Sequence, residues 1–79
     1  MKIKNNTGYD DVDECKEGLF RVRKNDQYGF IDESGKLVID FQYDYGYSFL
    51  DGLAYVKLNK KWITINKAGE KVERIKNLI

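Results

Sequence analysis

The chain has 79 residues, 42% of them hydrophobic and 34% charged, with a net charge of +1. That length supports one small domain, and the balanced charge argues against a strongly basic nucleic-acid binder or an acidic nucleic-acid mimic. There is no histidine and one cysteine, Cys15, which removes His-based triads, most zinc sites and any internal disulfide.

From the N-terminus, Met1-Lys2-Ile3-Lys4-Asn5-Asn6 has no apolar core, so no secretory signal is expected. No run approaches the ~18 apolar residues of a membrane span. With the lone thiol, these features point to a cytoplasmic protein. Residues 2–5 are expected to add an edge strand. Residues 9–16 read as a compact connector with a short helical turn. Cys15 within it reads as a small buried hydrophobe.

Leu19–Lys24 then alternates, with Phe20 and Val22 one way and Arg21 and Arg23 the other. Asn25-Asp26 is a turn, because both residues tolerate left-handed backbone. Gln27–Asp32 is a second strand rich in aromatic and branched residues. Tyr28, Phe30 and Ile31 place apolar groups on both of its faces, as a doubly covered strand or a bulge after Tyr28 would require. Glu33-Ser34-Gly35 turns the chain into a third strand over 36–41, with Leu37, Ile39 and Phe41 on one face. After a connector at 43–50, the pattern returns as strands at Leu53–Leu58, Lys61–Asn66 and 70–75. Their turns are Asn59-Lys60 and Lys67-Ala68-Gly69.

The second half repeats the first at an offset of 34 residues without a gap. Between 17–39 and 51–73 seven positions are identical: Gly18, Leu19, Val22, Asn25, Ile31, Gly35 and Val38. Tyr9-Asp10 returns as Tyr43-Asp44, and Tyr28 as Trp62. A fixed period of this size signals stacked supersecondary units. The expected fold is therefore all-β: two three-stranded antiparallel meanders, about 9–41 and 43–76, packed as a small sandwich or partly open barrel in one domain. Tyr28 and Trp62 should be core residues at matched places.

The repeated pattern resembles a known family. It runs Glu17-Gly18-Leu19, Tyr28-Gly29-Phe30-Ile31-Asp32, Gly35-Lys36-Leu37-Val38-Ile39 and Tyr43-Asp44. In this it is similar to the bacterial WG-containing repeat. Tyr28-Gly29 stands where the naming Trp-Gly pair would be, and the second copy reads Trp62-Ile63. The resemblance implies an all-β repeat fold, longer arrays in other members, no known enzyme activity and roles in protein–protein contact.

Candidate chemistry is sparse. Asp10, Asp11, Asp13, Glu14 and Glu17 cluster, but Lys16 stands where a calcium loop needs glycine. No phosphate-binding glycine loop, metal site or cofactor site is expected. Tyr45 and Tyr47 replace Asp11 and Asp13 of the first copy and so occupy surface positions beside Gly46. With Tyr55 they form the candidate protein-contact residues, because tyrosine is enriched at binding hot spots.

The primary expectation is a non-catalytic protein-binding module, of the size of small bacterial or phage-borne inhibitors of immunity or anti-CRISPR type. Its partner would be a larger protein. The alternative is a β-domain that holds single-stranded nucleic acid through Arg21, Arg23, Lys57, Lys60 and Lys61. Residues 1–40 carry seven Lys/Arg and nine Asp/Glu, net −2, and residues 41–79 seven and four, net +3. That asymmetry and the open repeat ends allow a homodimer.

Overall fold

The computed structural model describes residues 8–73. The described residues form two antiparallel sheets and no helix. The first sheet has the order β1 (Asp11–Lys16), β2 (Leu19–Lys24), β3 (Gln27–Asp32), β4 (Leu37–Tyr43). The second has the order β5 (Tyr45–Gly46), β6 (Leu53–Leu58), β7 (Lys61–Asn66). The all-β reading holds, and the sheets do not close into a barrel.

Turn chemistry repeats with the sequence. Glu17-Gly18 and Asp51-Gly52 both take positive φ, as do Asn25-Asp26 and Asn59-Lys60. These are the paired left-handed residues of two-residue hairpins, whose twist matches that of the strands. Asp32 Oδ1 accepts the N–H groups of Ser34 and Lys36, and Asn66 Oδ1 accepts those of Ala68 and Glu70. The exchange of Asp for Asn keeps the one acceptor that this turn uses. The Ser34 hydroxyl and the Lys36 N–H hold the Asp32 carboxyl below its usual range.

Strand register repeats too. Asp11↔Arg23 and Val12↔Val22 become Tyr45↔Lys57 and Gly46↔Val56, and Ile31↔Leu37 becomes the bridge Ile65↔Lys71. Beyond that bridge and the Val72 N–H to Thr64 carbonyl bond (2.8 Å), no third strand forms in the second repeat among the described residues. The connectors are not helical. Residues 11–16 are a strand, and β4 hands the chain on through Asp44 into β5. An edge strand at 2–5 and the end of the one proposed at 70–75 lie outside the described residues.

β3 is buried on both faces at Gly29, Phe30 and Ile31, and its register with β4 shifts on either side of Phe30 through extra residues in β4 rather than after Tyr28 in β3. Gly29 permits it. A Cβ there would lie 2.6 Å from the Ile39 carbonyl oxygen, so the bulged strand crosses directly over the glycine. The bulge also breaks the alternation in β4. Ile39 is buried, Leu37 is exposed, and Phe41 turns instead to Tyr9 (ring centroids 5.7 Å). Cys15 is exposed rather than buried, on a strand whose own register is shifted between Val12 and Cys15. Its Sγ donates to Glu33 Oε2 at 3.7 Å.

One core runs through both sheets. The forward face of the first sheet contributes Leu19, Phe30, Ile39 and Tyr43. The rear face of the second contributes Ala54, Val56 and Ile65, joined by Phe49 from the loop before β6. Phe30 and Phe49 meet edge to face at 4.8 Å.

At the rim of this seam the two acid-glycine turns stack. The Glu17 carboxylate accepts the N–H groups of Asp51 (2.6 Å) and Gly52 (2.8 Å). Lys67 Nζ donates to the Glu17 carbonyl (2.8 Å) and lies 3.5 Å from Oε1. The Gly52 N–H, then that of Asp51, and the Lys67 charge hold the Glu17 carboxyl below its usual range.

Candidate functional site

Side chains alternate across a strand, so each sheet has a forward and a rear face. In the second sheet the rear face is the core, through Ala54, Val56 and Ile65. The forward face is set by the register: Tyr45, Lys57 and Trp62 form one row, and Tyr55 and Thr64 the next. Tyr47 extends the second row, its N–H donating to the Tyr55 carbonyl at 2.9 Å. Leu53 follows on the same side of β6.

In the first repeat the equivalent face lies under the second sheet. Leu19 is 7% exposed and Phe30 0%. Their counterparts in the second repeat are Leu53, 39% exposed, and Thr64, which is half-buried. Trp62, expected in the core with Tyr28, is instead 40% exposed. The residue type followed the repeat, but the cover did not: no described element packs over the second sheet as that sheet packs over the first.

The aromatic rings on this face hold one another. The Trp62 indole stacks on Tyr55 (centroids 5.0 Å, planes 22° apart) and on Tyr47 (5.7 Å, 20°). Tyr45 meets Tyr47 edge-on at 5.4 Å and Tyr28 at 5.1 Å. Such pairs contribute roughly 0.5–1.5 kcal/mol each beyond burial. They also fix the rings before any partner arrives. Tyr45, Tyr47, Leu50, Leu53, Tyr55 and Trp62 are all exposed. A contiguous apolar surface of this kind marks an interaction site. Two shallow depressions flank the ridge. One, about 400 Å³, lies between Tyr47, Leu50, Leu53 and Tyr55. The other, about 510 Å³, runs beside Trp62 along β7 to Lys71 and Glu73.

The sequence placed Tyr45, Tyr47 and Tyr55 as contact residues, and the fold brings all three onto one face. It missed Trp62 and Leu53, which repeat alignment equates with the covered Tyr28 and Leu19. The signal that could have found them is the loss of apolar character at the equivalent positions, Thr64 for Phe30 and Glu73 for Ile39.

The five basic residues do not form one free groove. Arg21 pairs with Asp13 (2.9 Å), donates to the Gly46 carbonyl (2.6 Å) and lies over the Tyr28 and Tyr45 rings (5.5 and 5.7 Å). Arg23 faces Asp26 at 3.8 Å. The Lys57 ammonium sits 5.7 Å from the Trp62 ring centre. Lys60 is part of a turn whose N–H is taken by Asp44 Oδ2 (3.0 Å), and Lys61 opens β7 beside it. The acidic residues are likewise dispersed. Asp10 Oδ2 accepts the Asn25 N–H, Glu14 faces Lys16, and Glu17 holds the seam. Among the described residues no cluster could hold a metal ion, and no helix is long and apolar enough to cross a membrane.

The profile of the WG containing repeat matches residues 8–28 and 28–62. The chain belongs to the WG containing repeat family. The second WG match begins at Tyr28 and ends at Trp62, the two aromatics that occupy the naming position. In the first WG repeat the glycine after the aromatic is needed for the passage of β4. In the second, Ile63 takes its place and packs against the core. Curated proteins yield no match to this WG-repeat chain, and solved structures yield none.

Proposed function

We propose that this chain is a non-catalytic protein-binding module whose contact surface is the forward face of the second WG repeat. The observation that carries the reading is Trp62 stacked between Tyr47 and Tyr55 on an exposed face whose counterpart is buried in the first repeat. Rings already locked in place lose little conformational freedom on binding. Occupation of one surface of a larger protein, as a small inhibitor would do, needs no more than this face.

The test is a tagged pull-down in the presence of nuclease and high salt, run with wild type and with Tyr47→Ala/Tyr55→Ala. One stoichiometric protein, retained by wild type and weakened by at least ~1–2 kcal/mol in the variant, is the expected result. Equal affinity for the variant would place the contact elsewhere.

A second reading, single-strand nucleic-acid binding, draws on the same rings with Lys57 beside them. It requires oligonucleotide affinity that falls steeply with salt. The commitment of Arg21 and Arg23 to carboxylate partners favours the protein partner.

A further inference from the structure

The seam inside the chain is a template for what the open forward face accepts. It has three parts: a carboxylate on the first unit, Glu17, that caps the acid-glycine turn of the next; a lysine on the next unit, Lys67, that binds that residue's carbonyl and carboxylate; and a glycine turn seated on Ile39. Gly69 fits so closely that a Cβ would lie 3.3 Å from the Ile39 side chain. One period later Asp51 stands in the place of Glu17 and Glu73 in the place of Ile39.

Resting on the protein-contact reading, we infer that this face receives another three-stranded β repeat that is not a second copy of this chain, one with Lys or Arg where this chain has Lys67. The partner's rear face must be small and apolar, like Ala54, Val56 and Ile65, to cover Leu53 and the Tyr55–Trp62 ridge.

A second copy of this chain does not meet those terms. Its first repeat carries Glu33 at the Lys67 position. Stacked in the same way, Glu33 would bring a carboxylate against that of Asp51 and leave the Asp51 carbonyl without its ammonium donor. The copy's rear groove, about 370 Å³ and lined by Tyr9, Val12, Phe20 and Ile31 with Asp32, Glu33, Ser34 and Gly35 at its edge, is the counterpart of the place where Ile39 meets Gly69. It would have to take the Glu73 carboxylate instead. An apolar floor disfavours a charge, and the Asp32 and Glu33 carboxylates at the edge repel a third. Like charges and buried, unpaired carboxylates are how an interface rejects the wrong partner. The opposed net charges of the two halves do not overcome this, because the groups that meet at the seam are both acidic.

The inference is tested by light scattering after size exclusion on the full chain and on Glu33→Lys/Glu73→Ile. Both positions are exposed, so the fold is kept. The wild type is expected at the mass of one chain up to its solubility limit. The double variant restores the lysine and the apolar residue, and its mass should at least double and rise with concentration. Adding Asp51→Ala should return it to the mass of one chain. Self-association of the wild type, a double variant that stays single, or assembly indifferent to Asp51→Ala would each overturn the inference. The protein-contact reading would survive any of these, because the Tyr47/Tyr55 comparison measures it separately.

Discussion

Trp62 and Phe30 show how position in the stack, rather than side-chain type, decides what an aromatic does. Phe30 is wholly buried between the sheets and touches Phe49, so Phe30→Ala should cost about 3–5 kcal/mol. That is comparable to the whole stability of a small domain. Trp62 keeps its rings for the surface, and Trp62→Ala should cost only about 1–2 kcal/mol. Urea unfolding of the two variants measures the contrast. Equal losses would mean that Trp62 is core after all. As the single tryptophan, Trp62 also reports its own exposure through quenching by a soluble agent in the native state. The residue scale is where the sequence misled most. An aromatic at a core register reads as core, and its own repeat does not say whether another unit covers it. Cys15 misled for a different reason: the shift in β1 between Val12 and Cys15 removes it from the inward series.

At the scale of elements, hairpin turns and their rims were the most legible features. Asn25-Asp26, Asn59-Lys60 and the glycines at 35 and 69 all stand where left-handed backbone was expected. The rim clamp was not legible, because Glu17 and its N–H partners are a full period apart in sequence. Its pH behaviour follows from geometry. The folded carboxyls of Glu17 and Asp32 sit below their usual values, so the unfolded chain binds protons first as pH falls. The stability they contribute is complete well above the ordinary values of 4.5 for Glu17 and 3.8 for Asp32, and is lost as pH drops through the lowered folded values. Glu17→Gln should therefore flatten the acid limb of a stability–pH curve while leaving Asp32's share in place. An unchanged acid limb would show that the clamp contributes no linkage.

For the whole molecule, the core is shared rather than divided. Leu19, Phe30, Ile39 and Tyr43 are packed against the second repeat, and Ala54, Val56 and Ile65 find their cover on the first. The two repeats should unfold in one transition, with tryptophan fluorescence from the second repeat and far-ultraviolet dichroism from both sheets coinciding. Two separated midpoints would show independent repeats. The all-β class and most strands were readable from a period of 34 residues. The open sheets were not, because a meander pattern says how strands pair within a unit but not how units close. One feature of the path has a hereditary meaning. The strand that leaves the first sheet as β4 enters the second as β5, so no seam in the chain corresponds to the seam in space. A duplication can then begin at Tyr28, as the family match does, or at Tyr9, and yield the same folded unit. Arrays of this kind can lengthen or shorten by whole periods from any breakpoint, whereas a gain of one residue within a strand would turn its apolar side chains outward.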